Sequence, residues 1–281
     1  MSPTDATHAT SSAAPAIVVS RMRRRPIIVN YRGGGAAEFM ERAPRWVVRA
    51  FKSVDAVVVP SGFLCSVFER FGITARIIPN IIDLQRFHPA VPVSGSRAPH
   101  VVVTRNLEPI YDIETAIRAL SLLRKRVPNV RMTIAGAGPD LDKLQRAAAS
   151  LDLKDAVRLA GRMDNTAIAD LYRSADAMLN PSLVDNMPIS VLEAFASGVP
   201  VVSTNVGGVP FIAQDGRNAL LVPPSDPQAC AAALERVLTD AVLAERLARA
   251  ALEDAETYAW VRVKQLWLTE YQRAQSRYPA A

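Results

Sequence analysis

Two carboxylates, Asp185 and Glu193, are separated by seven residues in the stretch NPSLVDNMPISVLEAFASGVPVVSTNVGGVP, which covers residues 180–210. The stretch leaves a predicted strand at Asp185 and enters a predicted helix that carries Glu193. Unpaired N–H groups and the dipole of a helix N-terminus attract phosphate. A carboxylate further along the helix repels phosphate but accepts hydrogen bonds from the paired hydroxyls of a sugar. The pattern therefore indicates a nucleotide or nucleotide-sugar site, with phosphate at the loop and ribose at Glu193.

The same two acids have a structural alternative. Asp185 could cap the helix, and Glu193 could pair with a nearby arginine. Taken alone, the two acids favour this alternative, so the choice depends on the residues around them.

Strand and helix patterns that could position these acids alternate along the chain in two groups. The first group includes a helix predicted over 36–53, and the second has about six strands, including a predicted pair at 210–214 and 219–224. Alternation at this spacing implies crossover connections, parallel sheets and an α/β fold, with ligands at the carboxyl ends of the strands. The pattern predicts five segments: a disordered tail (1–25), a first α/β domain (26–80), a linker (81–98), a second α/β domain (99–258) and a C-terminal helix (259–281).

Composition predicts a globular protein with a core, since 49% of the 281 residues are hydrophobic. No apolar run approaches the roughly 18–20 residues that span a bilayer, and the first residues lack the basic region of a signal peptide. The two cysteines, Cys65 and Cys230, are far apart and favour buried thiols in a reducing compartment over a disulfide framework. We therefore expect a cytoplasmic location.

The positive charge is concentrated near the start of the chain, because residues 1–50 carry a net charge of +5 out of +6 in total. At helical spacing, Arg45, Arg49 and Lys52 share one face. Such a helix can lie on an anionic membrane surface, or it can be an ordinary amphipathic helix with a solvated basic face. Charge alone does not choose among anionic lipids, phosphorylated ligands and nucleic acid.

The residues around the two acids resemble the donor site of the retaining glycosyltransferases of the large family 4, which have the two-domain GT-B fold. The resemblance rests on the acid stretch itself, and on RNLEPIYDIETAIRAL, MTIAGAGPDLDKL, VRLAGRMDNTAIADLYRSADAMLNPS and PNIIDLQRFHP. It covers roughly residues 26–275 and is close for 100–240. It implies two Rossmann-type, doubly wound parallel sheets, of which the N-terminal one is incomplete. It also assigns the acceptor side to 26–80, the nucleotide-sugar-binding domain to 99–258, and a helix that crosses back to the first domain to 259–281.

The resemblance also implies the role of each site residue. Asp185 would lie beside the transferred sugar and Arg105 would neutralise the diphosphate, which makes these two the expected catalytic residues. The amides of Asn186, Met187, Pro188 and Ile189 would meet the diphosphate and sugar, Glu193 would bind the ribose hydroxyls, and Gly136 and Arg162 would line the base site. Fixed cations and amides stabilise the charge that develops on the leaving diphosphate, so the expectation includes no metal and no cofactor.

Three departures from the family pattern weaken the expectation of activity. Asp185 stands where the family usually has Glu, and the first domain lacks several early strands. Tyr111 and Asp112 stand where the family usually has a Lys-Gly pair, and losing that cation weakens diphosphate binding by about 1.5–3 kcal/mol if the lysine made one charge-assisted hydrogen bond. The missing part of the first domain would also carry the family's catalytic-side His, so no histidine takes its place, and His88 is expected to be a solvated linker residue.

Other motifs favour structural interpretations. The glycines of RGGG at 32–35 form a turn without the fingerprint of a phosphate loop. Asp140 and Asp142 resemble a metal motif but stand at a helix start, where acids stabilise the first turn. The stripe Trp260, Val263, Trp267 and Tyr271 has helical spacing and is expected to pack against the domains.

Three functions remain open at this stage. The first is a glycosyltransferase that moves a sugar from a nucleotide-sugar donor to a carbohydrate or lipid-linked acceptor, with peripheral contact to the inner face of an anionic membrane and no nucleic-acid partner. The second is a non-catalytic nucleotide-binding remnant that acts as a partner subunit. The third, a dinucleotide-dependent enzyme, is disfavoured because the fingerprint glycines after the first strand are absent.

Overall fold

The protein folds into two compact units in a computed structural model that describes residues 16–90 and 97–278. Among these residues, one unit consists of 16–80 with 260–278, and the other consists of 81–90 with 97–259. Within the described residues, no helix combines the length and the apolarity that crossing a bilayer requires.

A small parallel sheet forms the centre of the first unit, in the order β1-β2-β3. In chain order its elements are helix α1 (16–22), β1 (Ile28–Asn30), α2 (Ala36–Arg42), α3 (Arg45–Ser53), β2 (Ala56–Val59), α4 (Gly62–Glu69) and β3 (Ala75–Ile77). Buried side chains from the strands and from α4, including Val57, Val59, Leu64 and Phe68, form its core.

Two sequence predictions for this unit are wrong. The helix predicted over 36–53 is split, because Pro44 cannot continue a helix and places Ala43 in extended backbone between α2 and α3. The tail predicted over 1–25 contains helix α1, whose Arg21 donates a 2.7 Å hydrogen bond to the carbonyl oxygen of Ser53. Residues 1–15 lie outside the described residues.

A six-stranded, all-parallel sheet in the order β6-β5-β4-β7-β8-β9 forms the centre of the second unit. Its elements are β4 (His100–Thr104), α5 (Ile113–Leu123), β5 (Arg131–Ala135), α6 (Leu141–Ser150), β6 (Val157–Gly161), α7 (Asn165–Arg173), β7 (Ala177–Asn180), α8 (Ile189–Ala196), β8 (Val201–Thr204), β9 (Leu220–Val222), α9 (Pro227–Thr239) and α10 (Ala241–Ala255). After β4, the strands β5 and β6 are added on one side of it, and β7, β8 and β9 are then added on the other side. The order of the strands therefore reverses between β4 and β7. Such a switch point opens a crevice at the carboxyl ends of the two strands.

Both faces of this sheet are covered, as a doubly wound fold requires. Successive residues of β4 alternate between two core clusters, with Val101 and Val103 in one and Val102 in the other. The apolar run VVV is therefore buried on both sides. This confirms the α/β prediction with two parallel sheets, one of which has only three strands.

Two further predictions in the second unit are wrong. The strand predicted at 210–214 is a 3₁₀ turn over Val209–Phe211, because Pro210 lacks an N–H and favours the first positions of a helical turn. The first part of the predicted linker 81–98 is packed on the unit, since Ile82 and Phe87 are buried in its core and the Ile82 N–H donates to the Tyr258 carbonyl oxygen at 3.0 Å. Residues 91–96 lie outside the described residues.

The C-terminal helix α11 (Trp260–Gln275) belongs to the first unit. Its Val263 packs with Val58 and Ile78, and its buried Glu270 forms a salt bridge with Arg76. The expected packing of the aromatic stripe is only partly right. Trp260 and Tyr271 are about half exposed, because the helix buries a narrow face.

Candidate functional site

An ion pair joins the carboxyl ends of the two strands at the switch point. Arg105 follows β4, and Asp185 lies in the loop between β7 and α8. The Nη2 group of Arg105 contacts Oδ2 of Asp185, and both side chains are nearly buried. The helix-cap alternative for Asp185 is wrong, because Pro188 is the N-cap of α8 and no side chain caps it. The sheet topology therefore brings together the two predicted catalytic residues.

The Arg105 guanidinium is held by two further neighbours. Nε and Nη2 donate to the Ser182 hydroxyl at 3.3 and 3.2 Å, and the Tyr111 ring centroid lies 4.4 Å from the guanidinium carbon. Burial lowers the pKa of Arg105, while the hydroxyl of Tyr111 acts in the opposite direction. Ser182 in turn donates to Asn180 at 2.9 Å. Sequence reasoning missed Ser182 and Asn180, although two polar residues next to the apolar end of a buried strand are a usable signal.

Glu193 lies at the deeper part of the site, in the second turn of α8. Burial raises the pKa of its carboxyl to about 7, while the Tyr172 hydroxyl and Arg105 act in the lowering direction. Tyr172 is fully buried, and its hydroxyl donates to the Ser190 carbonyl oxygen at 2.8 Å. A carboxyl with a pKa near neutrality in a cleft is a recognised mark of a functional site.

A cleft of about 390 Å³ opens beside Glu193, within the range of small-ligand sites. Four of the predicted site residues line it, namely Arg105, Gly136, Arg162 and Glu193. The remaining lining residues are Thr104, Asn106, Ala135, Ala137, Met163 and Ile168. Polar side chains from the ends of β4 and β6 and from α8 thus converge on one concave surface.

Gly136 is required by the close approach of two backbones. Its φ is +157°, and a Cβ atom there would lie 2.0 Å from the carbonyl oxygen of Arg105. No side chain fits at that distance. The glycine therefore lets the β5 turn lie against the residue that carries the cation.

Gly208, in the glycine pair that follows β8, contacts the loop that carries Asp185. Its N–H donates to the Asp185 carbonyl oxygen at 2.7 Å, and a Cβ atom there would lie 1.6 Å from the carbonyl oxygen of Asn186. The glycine pair thus packs directly on the loop 181–188 between β7 and α8, which we call the acid loop, and fixes the path of that loop.

The four residues expected to present amides, Asn186 to Ile189, do not line the cleft. Asn186, Met187 and Pro188 are buried, whereas Ile189 is exposed. The expectation for Pro188 is wrong, because proline has no N–H to donate. The first N–H groups of α8 belong to Ile189 and Ser190, which have no acceptor within the helix.

The minor motifs have structural roles. Asp140 stands at the N-cap position of α6 and Asp142 in its first turn, and the described residues contain no cluster of three or more metal-binding side chains. His88 is exposed, with Nδ1 3.1 Å from the Pro89 carbonyl oxygen. His100 is buried at the start of β4, where its ring nitrogens contact Thr133 and Ser174.

Comparison with known proteins gives two family matches. Residues 85–254 match the model described as glycosyl transferases group 1, and residues 4–86 match the model described as glycosyltransferase family 4. The chain is 31% identical to a D-inositol 3-phosphate glycosyltransferase of Streptomyces avermitilis, over 64% of this chain and 42% of that protein. It is 30% identical to a glycogen synthase of Mycobacterium tuberculosis, over 78% of this chain and 53% of that protein. The chain therefore spans about half the length of these curated relatives.

A solved structure supports the fold. Anabaena HepE in complex with UDP superposes with a TM-score of 0.80 at 19% identity, over 92% of this chain and 75% of that one. The likeness confirms the GT-B fold that the motifs imply.

Proposed function

Because the chain belongs to the glycosyl transferases group 1 family, we propose that it transfers a sugar from a nucleotide-diphosphate-sugar donor to an acceptor, with retention of configuration. The observation that carries the proposal is the cleft beside Glu193, in which Arg105, Gly136 and Arg162 converge. Its volume and its polar groups suit a nucleoside.

Each part of the donor is matched to the residues whose chemistry can bind it. In the ionised form, Glu193 accepts hydrogen bonds from the two ribose hydroxyls, and Gly136 and Arg162 border the base. Arg105 and the N–H groups of Ile189 and Ser190 meet the diphosphate, with Asn186 and Met187 in the loop that leads to them. Uracil is the first donor base to test, with UDP as the ligand, because the similar HepE structure holds UDP.

The reaction builds negative charge on the diphosphate as the anomeric bond breaks. A fixed guanidinium and helix amides stabilise that charge more in the transition state than in the ground state. Asp185 lies beside the transferred sugar and accepts hydrogen bonds from it. We propose that this chemistry requires neither a metal nor a cofactor.

The acceptor proposal rests on the surface of the first unit. Val18, Val19 and Met22 of α1 and Trp46 of α3 are exposed, by 57%, 51%, 80% and 47%. The same segments carry seven exposed cations: Arg21, Arg23, Arg24, Arg25, Arg45, Arg49 and Lys52. In the part of the chain that the structure describes, none of the seven forms a salt bridge. We call these exposed residues of α1, the segment after it and α3 the basic apolar face.

Cations interspersed with exposed aliphatic and aromatic side chains suit an anionic membrane surface better than nucleic acid, because apolar side chains gain from entering the lipid interface. We therefore propose peripheral contact with the inner face of the membrane and a lipid-linked or cell-envelope carbohydrate acceptor. The free cysteines Cys65 and Cys230 favour the reducing, cytoplasmic side.

One observation favours a second candidate function, a catalytically impaired nucleotide-binding subunit. Tyr111 supplies no charge at the position where the resemblance expects a lysine. Binding without turnover is the outcome that this candidate predicts.

Calorimetric titration of the purified chain with UDP, GDP and ADP, repeated on Glu193→Ala, tests the donor site. Binding of one diphosphate that the mutation weakens supports the proposal and identifies the base. Glu253→Ala, a change of an exposed acid in the same unit, is the matched control. If the folded chain binds none of the three, the donor-site proposal is rejected. If it binds but releases no sugar from the matching donor, the second candidate replaces the first.

A further inference from the structure

The Tyr111 ring covers one face of the cation at the switch point. Its centroid lies 4.4 Å from the Arg105 guanidinium carbon, within the distance at which a ring and a cation attract each other. The attraction is stronger where water is excluded, and Arg105 is nearly buried.

A rigid turn places this ring. Tyr111 ends the 3₁₀ turn Pro109–Tyr111, and Asp112 follows in the left-handed region with φ +43°. The Asp112 carboxylate accepts hydrogen bonds from Thr115 at 2.8 Å and from Ser225 at 3.1 Å, which hold this unusual conformation. The turn is also tied to the acid loop, because the Leu183 N–H donates to the Ile110 carbonyl oxygen at 2.8 Å.

The contacts of Arg105 leave one part of the guanidinium available. Nε and Nη2 bind Ser182, and Nη2 also binds Asp185. Among the described residues, Nη1 makes no hydrogen bond. The fixed guanidinium therefore presents Nη1 as its donor for an incoming ligand.

We propose that Tyr111 is a positioning residue for the donor diphosphate, acting through Arg105. The site then uses one preorganised guanidinium, that of Arg105, instead of the separate arginine and lysine that the resemblance expects. A guanidinium whose face and edge are already held loses little freedom when it binds a phosphate oxygen. This inference rests on the proposed function, since it concerns the same donor.

The test compares Tyr111→Phe, which keeps the ring, with Tyr111→Leu, which keeps much of the apolar volume and loses the ring. Each is titrated with whichever of UDP, GDP and ADP binds the unmodified chain, and with the matching nucleoside, which has no phosphate. We expect Tyr111→Leu to weaken diphosphate binding about 5- to 30-fold and to leave nucleoside binding unchanged. We expect Tyr111→Phe to stay within about twofold of the unmodified chain.

A double-mutant cycle separates action through Arg105 from a general loss of structure. In an Arg105→Ala background, Tyr111→Leu should cause no further loss of diphosphate affinity. The inference is overturned if Tyr111→Leu leaves diphosphate affinity unchanged, lowers nucleoside affinity equally, or still acts without Arg105. It is also overturned if Tyr111→Phe loses as much as Tyr111→Leu. Tyr111→Met replaces the Leu variant if circular dichroism shows that the latter does not fold.

Failure of this inference differs from failure of the proposed function. If the unmodified chain binds no nucleoside diphosphate, the proposed function fails and the role of Tyr111 fails with it. If the unmodified chain binds one and Tyr111→Leu binds it equally well, only the role of Tyr111 is rejected.

Discussion

Arg105 and Asp185 form an ion pair at the carboxyl ends of the neighbouring strands β4 and β7. The two groups act on a phosphate in opposite ways, because the Arg105 guanidinium attracts it and the Asp185 carboxylate repels it. A diphosphate that approaches Nη1 of Arg105 is repelled by the Asp185 carboxylate, which lies against Nη2 of the same guanidinium. The pair thus restrains the cation.

Removing the charge of Asp185 should separate binding from transfer. In Asp185→Asn the competing charge is gone, so we expect nucleoside diphosphate affinity to stay equal or rise by up to about tenfold. Sugar release from the donor should fall by about 100-fold or more, because the carboxylate that we propose to lie beside the transferred sugar is lost. Calorimetry measures the first effect, and release of free diphosphate from the donor measures the second.

The exposed Asp155→Asn is the control for this change in net charge. Loss of diphosphate binding in folded Asp185→Asn would contradict a repulsion between the Asp185 carboxylate and the diphosphate.

The raised pKa of Glu193 has a consequence for stability. Its value of about 7 in the folded chain compares with 4.5 for an unperturbed carboxyl. Below about pH 4.5 both states hold the proton, and the folded state has its full stability. Between these values only the unfolded chain releases the proton, so the free energy of unfolding falls as pH rises, and the loss is complete above about pH 7.

Glu193→Gln cannot ionise and should escape this loss. We expect the variant to be more stable than the unmodified chain by about 2–3 kcal/mol at pH 8, with the difference disappearing near pH 4. Denaturant titrations at a series of pH values measure this, with Glu253→Gln as an exposed control. The same variant should bind nucleoside diphosphate less well at pH 8. A stability difference that does not depend on pH would contradict the burial of this carboxyl.

The acid loop shows how far local sequence signals reach. The strand, loop and helix around Asp185 were predictable, because an apolar run ending in polar residues before Pro188 indicates where β7 stops and α8 starts. The meeting of Arg105 with Asp185 follows from the strand order, which pattern alone does not fix. The resemblance to known glycosyltransferases assigned both residues to one donor site, but it did not predict their ion pair.

Other details depend on contacts that are distant in sequence. The ring of Tyr111 reaches Arg105 because Asp112 adopts a left-handed conformation, and that conformation is held by Ser225 from a loop far along the chain. The pKa of Glu193 depends on burial produced by the whole second unit. Pro44 and Pro210, by contrast, are local signals, and the sequence alone is sufficient to predict the helix break at Pro44 and the absence of a strand at Pro210.

Gly208 should be intolerant of any side chain. In Gly208→Ala the new Cβ meets the Asn186 carbonyl oxygen, so the acid loop must move away from the turn. We expect a loss of about 2–3 kcal/mol in the free energy of unfolding, and weaker sugar release in the protein that remains folded. Gly34→Ala is the control, because a Cβ there meets nothing within 4 Å. Thermal unfolding measures both, and equal stability of the two variants would show that the loop accommodates the methyl group without strain.

The basic apolar face should direct the protein to anionic lipid. Each cation near such a surface contributes about 1 kcal/mol, so Arg45→Gln combined with Arg49→Gln should weaken vesicle binding by about 30-fold at low salt. Trp46→Ala should weaken binding with less salt dependence, because its contribution comes from burial of the ring in the interface. Flotation with phosphatidylglycerol-containing vesicles measures both effects, with phosphatidylcholine vesicles as the neutral comparison. Arg70→Gln, which removes an exposed arginine paired with Glu41, is the matched control. Equal flotation with the two kinds of vesicle would reject the membrane proposal and leave the seven cations as a solvated surface.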